Sequence, residues 1–165
     1  MPRPSKLPFD PLERAGEIWE ERIGDATSMR LATSIMRVHQ LVGGRLDAAL
    51  RPHRITFARY EMLRLLSFSK EGRLPLSKIG ERLMVHATSV TNAIDRLEDQ
   101  GFVVREPDPD DRRRTFAELT TQGAKVLEAA TKDILAIDFG VGELDVADQK
   151  AAYKVLRGLR AGDFD

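Results

Sequence analysis

The spacing of apolar residues near the start of the chain predicts a long amphipathic helix that ends at Pro52. A shorter amphipathic segment, LERAGEIWEERIG, precedes it, and residues 1–11, with four prolines, are expected to be extended or disordered. Gly43 and Gly44 cost the long helix about 1 kcal/mol each relative to alanine, which indicates close packing against another element or a bend. The apolar face of the long helix is predicted to consist of Leu31, Ile35, Val38, Val42, Leu46 and Ala49.

The middle of the chain predicts helices alternating with short strands. Thr56 can cap a helix, FARYEMLRLLSFSKEG, that stops at Gly72, and RLPLS is long enough only for a small edge strand, where its proline is tolerated. SKIGERLMV predicts a short helix, and a tight turn leads to another helix from about Ala87 to Gln100. FVVRE and TFAEL then predict two strands, and PDPDDRRR joins them as a long, projecting loop.

Two more helices complete the pattern. Thr120 is predicted to cap a helix that runs to about Ile137, FGVGEL interrupts it, and Asp145 is predicted to cap a last amphipathic helix. The order of elements is that of a winged helix-turn-helix. The predicted fold class is therefore mainly α with a small β-hairpin wing, flanked by N- and C-terminal dimerisation helices.

The helices at the two ends of the chain predict a homodimer. We expect one structural unit made of an N-terminal extension with a short helix (1–27), dimerisation helices (28–52 and 120–162) and a winged helix-turn-helix DNA-binding lobe (53–119). The end helices have apolar faces that a lone winged helix cannot cover, whereas a second copy would cover both. The two recognition helices would then face successive major grooves of a palindromic site, about 10 base pairs apart.

The polar face of the predicted helix 87–100 suits a major groove. Its small hydroxyl and amide side chains could bond base edges or phosphates, and the helix N-terminus adds a partial positive charge. The alternative is a solvated polar face, which most amphipathic helices have. The candidate contacts on this helix are Thr88, Ser89, Thr91 and Asn92.

The loop between the two predicted strands favours the DNA interpretation. Arg112, Arg113 and Arg114 would repel one another unless they were paired or matched to an anion. Asp110 and Asp111 beside them can pair with one arginine and hold its guanidinium in a fixed pose. A projecting arginine on a hairpin can enter a narrow minor groove, whose negative potential is enhanced.

Net charge limits this interpretation. The chain has 26 basic and 26 acidic residues, and the segment from Arg73 to Glu118 has eight basic and nine acidic ones. Non-specific affinity for DNA should therefore be modest, and binding should depend on a few well-placed arginines. Four more arginines on or near the second predicted helix could contact phosphates or simply be solvated: Arg51, Arg54, Arg59 and Arg64.

Several other kinds of chemistry have no residues to support them. The chain has no cysteine, which excludes disulfides and thiol chemistry, and His39, His53 and His86 lack metal-ligand spacing. No phosphate loop or nucleophile motif is present, so we expect a protein that is not an enzyme and that uses no metal or cofactor. With no secretory signal at its start, a cytoplasmic protein is expected, associated with the bacterial nucleoid when it is bound to DNA.

Two segments resemble the MarR family of bacterial and archaeal regulators. DPDDRRRTFAELTTQG is similar to the family's wing signature, and TSVTNAIDRLEDQGFVVRE is similar to its recognition helix, helix stop and first wing strand. The resemblance covers roughly residues 29–159. It implies a dimeric winged-helix transcription factor, usually a repressor, whose DNA affinity falls when a small aromatic or phenolic anion binds between the dimer helices and the DNA-binding lobe.

The resemblance also implies roles for individual residues. Arg113 matches the arginine that enters the minor groove, and Asp111 matches its supporting aspartate. Trp19 and Arg22, in an N-terminal extension similar in layout to that of the urate-sensing branch, are the candidate effector-binding residues. The full set of candidate DNA-binding residues is Ser77, His86, Thr88, Ser89, Thr91, Asn92, Arg96, Asp111, Arg112, Arg113 and Arg114.

A second hypothesis is a winged-helix module that binds another protein instead of DNA. It would explain the zero net charge directly. Salt-insensitive binding to a protein partner would favour this module, whereas affinity that falls steeply with salt and requires Arg113 would favour DNA. The sequence alone does not identify the operator, the regulated genes or the effector, and it does not distinguish a repressor from an activator.

Overall fold

The computed structural model describes residues 7–111 and 114–161 and divides into two compact units, residues 1–44 and 45–165. Seven α-helices and three strands lie in the described residues. None of these helices is long and apolar enough to cross a membrane. The helices are α1 (Pro11–Arg22), α2 (Thr27–Leu50), α3 (Phe57–Ser67), α4 (Leu76–Leu83), α5 (Ala87–Asp99), α6 (Thr121–Ala136) and α7 (Val146–Arg160), and the strands are β1 (Arg73–Pro75), β2 (Val103–Pro107) and β3 (Thr115–Leu119).

In the first unit, α1 packs closely against the start of α2. The Asp10 side chain accepts a hydrogen bond from Leu12 N at 2.8 Å and so caps α1. Arg30 on α2 lies over Gly16, where an added Cβ would come within 2.1 Å of its Nε atom. The same guanidinium pairs with Glu20 and lies 3.8 Å from Glu13. Because residue 16 is a glycine, the Arg30 side chain can lie directly against the backbone of α1.

The second unit is built around a three-stranded antiparallel sheet in the order β1-β3-β2. Leu74 and Arg105 both pair with Ala117 in the central strand. As expected, β1 is a short edge strand, and this position tolerates Pro75 because no further strand needs its missing N–H. The helices α3, α4, α5 and α6 pack around the sheet over fully buried apolar side chains, among them Leu63, Leu66, Ile79, Ile94, Leu97 and Ile134.

Two of the predicted caps are confirmed. Thr120 Oγ1 accepts from Gly123 N at 2.9 Å and begins α6. Asp145 Oδ1 accepts from Asp148 N at 2.8 Å and begins α7. Each oxygen satisfies one of the amide groups that the first turn of a helix leaves unpaired.

Two details of the predicted helices are wrong. The helix α3 ends at Ser67 and not at Gly72, and Phe68 is 76% exposed. The Thr56 side chain does not cap α3, because Asp47 on α2 accepts the hydrogen bond from Phe57 N at 2.7 Å. The close packing expected at Gly43 and Gly44 is not present within the single chain, since a Cβ on either would meet no described atom within 4 Å. The alternative, a bend, stays a prediction.

Much of the apolar surface of the end helices is uncovered in the single chain. On α2, Leu31 is 49% and Val38 53% exposed. On α7, the four predicted apolar positions, Tyr153, Val155, Leu156 and Leu159, are 41–60% exposed. Contiguous exposed apolar surface of this kind is typical of interaction sites.

Candidate nucleic-acid interface

The turn between α4 and α5 brings these two helices close together. Met84 ends α4 in the left-handed conformation (φ 55°), and Val85 N donates to Gly80 O at 3.1 Å. A Cβ at Gly80 would lie 3.1 Å from Val85 O and 3.4 Å from a methyl group of Val90. Glycine at this position therefore permits the tight helix-turn-helix.

The first turn of α5 exposes a row of small polar side chains. Ring Nδ1 of His86 accepts a hydrogen bond from Thr88 N at 3.3 Å, so in its neutral form the ring keeps its proton on Nε2. The Thr91 hydroxyl donates to Ala87 O at 3.1 Å, whereas the side chains of Ser89 and Asn92 form no hydrogen bond with the described part of the chain. The exposed candidates on α4 and α5 are Ser77, His86, Thr88, Ser89, Thr91, Asn92 and Arg96.

Arg96 lies one turn beyond Asn92 on the same exposed face. Its Nη1 is 3.9 Å from Asp99 Oδ2, and both side chains are more than two-thirds exposed. An ion pair at that distance in water holds the guanidinium weakly. Arg96 is therefore available to a phosphate.

Arg105, which the sequence did not single out, joins the wing to α5. From β2 its guanidinium reaches Asp95 at 2.5 Å and Glu98 at 3.1 Å, and it donates to Thr91 O at 3.3 Å. The backbone N–H of Arg105 donates to Glu98 as well, at 3.2 Å. The side chain is 26% exposed, so these contacts are partly shielded from solvent. They fix the angle between the hairpin and the helix beside it.

The base of the wing loop is held by Asp108, which is 7% exposed. Asp108 N donates to Arg114 O at 3.0 Å, and Asp108 Oδ1 accepts from Asp110 N at 2.9 Å. The Arg114 guanidinium lies 3.5 Å from Asp108 Oδ2 and 5.7 Å from the centre of the Phe116 ring. Arg114 thus contacts the wing itself.

The rest of the predicted loop chemistry is only partly described. Arg112 and Arg113 lie outside the described residues. Asp111 O accepts from Arg114 N at 2.9 Å, which closes the turn on that side. The carboxylate that pairs with Arg114 is that of Asp108. The expected pairing of Asp110 and Asp111 with one of the three arginines stays a prediction, because Arg112 and Arg113 lie outside the described residues.

A second feature is an aromatic cavity of about 580 Å³ within the residue 45–165 unit. The rings of Phe57 and Tyr60 stack with centroids 5.9 Å apart. Arg64 lies over Tyr60 at 5.8 Å and over Phe68 at 5.5 Å, and it hydrogen-bonds to the Thr131 hydroxyl. The lining is completed by Glu61, Leu65, Leu83, Thr131 and Phe139. A flat aromatic molecule with a negative group matches these walls and this cation.

Trp19 and Arg22 lie on α1, in the first unit. Trp19 is 36% exposed, and Arg22 is exposed in the last turn. Their predicted contact with an effector stays a prediction.

Glu61 gives a pH-dependent prediction. It is accessible to solvent, yet partial desolvation by burial raises the pKa of its carboxyl group. A raised pKa in the folded state means that protonated Glu61 favours folding, and this contribution is lost as pH rises through the folded-state pKa. We expect Glu61→Gln to be more stable than the wild type at pH 7, with the gap closing towards pH 4.

The test is urea unfolding of both proteins at one protein concentration across this pH range. Glu128→Gln on α6 is the control, since Glu128 makes only an exposed contact with Lys132 at 3.5 Å. A gap for Glu61→Gln that widened towards acid would contradict the expected sign.

A helix-turn-helix followed by a hairpin wing, with an exposed polar face at the start of its second helix, defines a winged helix-turn-helix DNA-binding transcription regulator. The sequence profile of the MarR family matches residues 55–115. Transcriptional regulator HosA of Escherichia coli O111:H- is 36% identical over 107 residues, which are 64% of this chain and 77% of HosA. The chain belongs to the MarR family of transcriptional regulators.

Solved structures agree with this membership. Sco5413, a MarR family transcriptional regulator from Streptomyces coelicolor, matches with 52% identity and a TM-score of 0.79 over 84% of this chain and 98% of its own. Sco3205, a MarR family regulator from the same organism solved in complex with DNA, matches with 27% identity and a TM-score of 0.75 over 83% of this chain and 88% of its own. The winged-helix fold and the family resemblance predicted from the sequence are both confirmed.

Proposed function

We propose that this regulator is a repressor that binds a palindromic operator as a homodimer and is released by a small aromatic anion. The observation that carries the DNA-binding part is the exposed polar face of α5, beside a wing that Arg105 ties to the same helix. Asn92 and Ser89 have free hydrogen-bonding groups there, which can reach base edges in a major groove. Arg113, on the wing loop, is proposed to enter the minor groove, with Asp111 supporting it and with Arg112 and Arg114 at its sides.

The homodimer is proposed because the apolar faces of α2 and α7 are uncovered in the single chain. A twofold interface would bury both and place two copies of α5 one helical turn of DNA apart. The palindrome follows from that symmetry. The proposed location is the cytoplasm, at the nucleoid when the protein is bound to DNA.

Selection from random-sequence duplex DNA tests the function. We expect an enriched palindrome whose affinity falls with salt and falls about ten-fold or more with Asn92→Ala or Arg113→Ala, because each removes a groove contact. Ser89→Ala should also weaken binding, whereas the matched control Ser28→Ala, an exposed serine at the start of α2, should not. No enrichment at low salt, together with salt-insensitive capture of a protein partner, would instead support the protein-interaction module.

For the effector we propose the aromatic cavity, with Arg64 as the anchor for the anion. Titration of the DNA complex with 2-naphthoate should release DNA, whereas cyclohexanecarboxylate, which carries the same charge without a flat ring, should be much weaker. Arg64→Ala should abolish the response, and the control Arg37→Ala, whose partner is Gln40 on its own helix, should keep it. Trp19→Ala and Arg22→Ala test the alternative site on α1. Binding of 2-naphthoate that left DNA affinity unchanged would refute this part.

A further inference from the structure

The connection between α6 and α7 contains three consecutive residues in the left-handed conformation. They are Asp138 (φ 46°), Phe139 (φ 53°) and Gly140 (φ 77°). Glycine adopts this conformation freely and aspartate is tolerated in it, but a phenylalanine there is unfavourable because its Cβ crowds the backbone. A corner of this kind persists only when surrounding contacts hold it.

Arg45 on α2 supplies those contacts. Its Nη1 donates to Gly140 O at 2.6 Å, at the end of the corner. The two guanidinium nitrogens also meet both carboxylate oxygens of Glu143, at 2.9 and 2.6 Å. Such a two-pronged pair fixes direction as well as distance. The Arg45 side chain therefore holds both the corner, through Gly140, and the chain just after it, through Glu143.

The corner leaves little freedom to the chain that follows. A Cβ at Gly142 would lie 3.0 Å from Asp138 Oδ2, so the Asp138 side chain folds back against the glycine. Val141 N donates to Asp138 O at 3.1 Å, and Leu144 N donates to Val141 O at 3.1 Å. Asp145 then caps α7 directly. The backbone conformation of residues 138–140 therefore determines where the first turn of α7 begins and in which direction it runs.

Phe139 also belongs to the wall of the aromatic cavity. It lines that space together with side chains of α3, and it is 40% exposed. A residue with an unfavourable backbone conformation is thus among those that a molecule in the cavity would touch. A ligand that displaced the ring would act on the corner directly.

We propose that residues 138–140 form a strained latch, meaning a corner of the backbone that the contacts of Arg45 hold in one conformation. The closed latch fixes the direction of α7 relative to α6. An aromatic ligand opens the latch by moving Phe139. The ligand step rests on the function proposed above for the cavity, whereas the latch itself does not. In a dimer that uses α7, the direction of this helix sets the spacing of the two DNA-binding lobes. Opening the latch changes the spacing of the two lobes, so that ligand binding in the cavity alters the affinity for DNA.

The distance between α6 and α7 can be measured by pulsed electron resonance. Because the chain has no cysteine, Lys132→Cys and Lys154→Cys give two specific spin-label positions, one on each helix. Labelled protein is diluted into unlabelled protein so that the measured distance lies within one chain. We expect one narrow distribution for the otherwise wild-type chain and a broader one, with a second maximum, for Arg45→Ala.

Three further variants distinguish a latch from a general loss of structure. Arg37→Ala, an arginine on the same helix, should leave the distribution narrow, and Arg45→Lys, which keeps the charge without the fork, should give an intermediate result. In a Phe139→Gly background, where the left-handed corner is no longer unfavourable, Arg45→Ala should have a smaller effect. A folded Arg45→Ala or Arg45→Lys protein with the wild-type distribution would overturn the latch, whether or not the protein binds DNA.

The ligand step has its own measurement. Saturating 2-naphthoate, with binding followed by the naphthoate fluorescence, should shift the wild-type distribution towards that of Arg45→Ala and leave Arg45→Ala unchanged. If naphthoate binds and the wild-type distance stays constant, the link between cavity and latch is wrong. If naphthoate does not bind, the proposed effector cavity is wrong. The latch is then still tested by comparing the distance distributions of the wild type and Arg45→Ala.

Discussion

Gly123→Ala is expected to destabilise the protein by about 3 kcal/mol or more, the upper range for forcing extra volume into a packed site. An added Cβ would lie 2.1 Å from the carbonyl oxygen of Phe102 and 2.9 Å from a methyl group of Leu119. A backbone oxygen cannot move aside cheaply, because the same carbonyl accepts from Thr120 N at 3.1 Å. The junction between β2, β3 and α6 would have to open. This contact gives a physical reason for the glycine in the segment LTTQG.

Urea unfolding at a fixed protein concentration measures this effect. The matched control is Gly44→Ala in the middle of α2, where a Cβ meets no described atom within 4 Å. That change should raise stability by up to about 1 kcal/mol, because alanine is the better helix former. Similar unfolding midpoints for the two variants would show that the close contact at Gly123 is easily relieved.

Arg105→Ala is expected to lower DNA affinity about ten-fold or more. Loss of the guanidinium has two effects, one on the position of the wing and one on the charge of α5. The wing loses its connection to Asp95, Glu98 and Thr91 O, so the hairpin is no longer fixed beside α5. The two carboxylates also lose their counter-charge, on the helix that is proposed to face the phosphates. Both changes disfavour the DNA complex more than the free protein.

A charge-restoring variant separates the two effects. Arg105→Ala combined with Asp95→Asn and Glu98→Gln removes the exposed negative charge without rebuilding the connection. Its affinity should lie between those of Arg105→Ala and the wild type, and its advantage over Arg105→Ala should shrink at high salt, where charges are screened. Wild-type affinity in Arg105→Ala, measured by titration of labelled operator DNA, would rule out both effects.

The ion pairs explain how a lobe without net positive charge can bind DNA. Several of the acidic side chains near α5 and the wing are matched by a neighbouring cation, such as Asp108 by Arg114 and Glu81 by Lys78 at 2.6 Å. Their fields largely cancel at the distance of a phosphate backbone. On the proposed function, exposed groups such as Asn92 and Arg96 would then determine where DNA binds.

Local patterns in the sequence predicted the helices and strands well, because they depend on residues close in sequence. The spacing of Val90, Ile94 and Leu97 predicted the buried face of α5, and all three side chains are buried. The caps at Thr120 and Asp145 were equally local. The end of α3 was wrong because the apolar pattern continues to Phe68, although the tertiary structure leaves that ring exposed. The spacing of apolar residues along the sequence does not show whether another helix or strand covers the apolar face of a helix.

The sequence by itself determined the order of elements, the polar face of α5, the arginine-rich wing loop and the family resemblance, because each is carried by residues near one another in the chain. Only the tertiary structure decided which partners meet. Arg105 lies seven and ten residues from the two carboxylates it pairs with, Arg45 lies 95 residues from Gly140, and Arg64 lies 67 residues from Thr131. Contacts at such separations depend on how helices and strands pack, and no spacing rule along the chain contains that information.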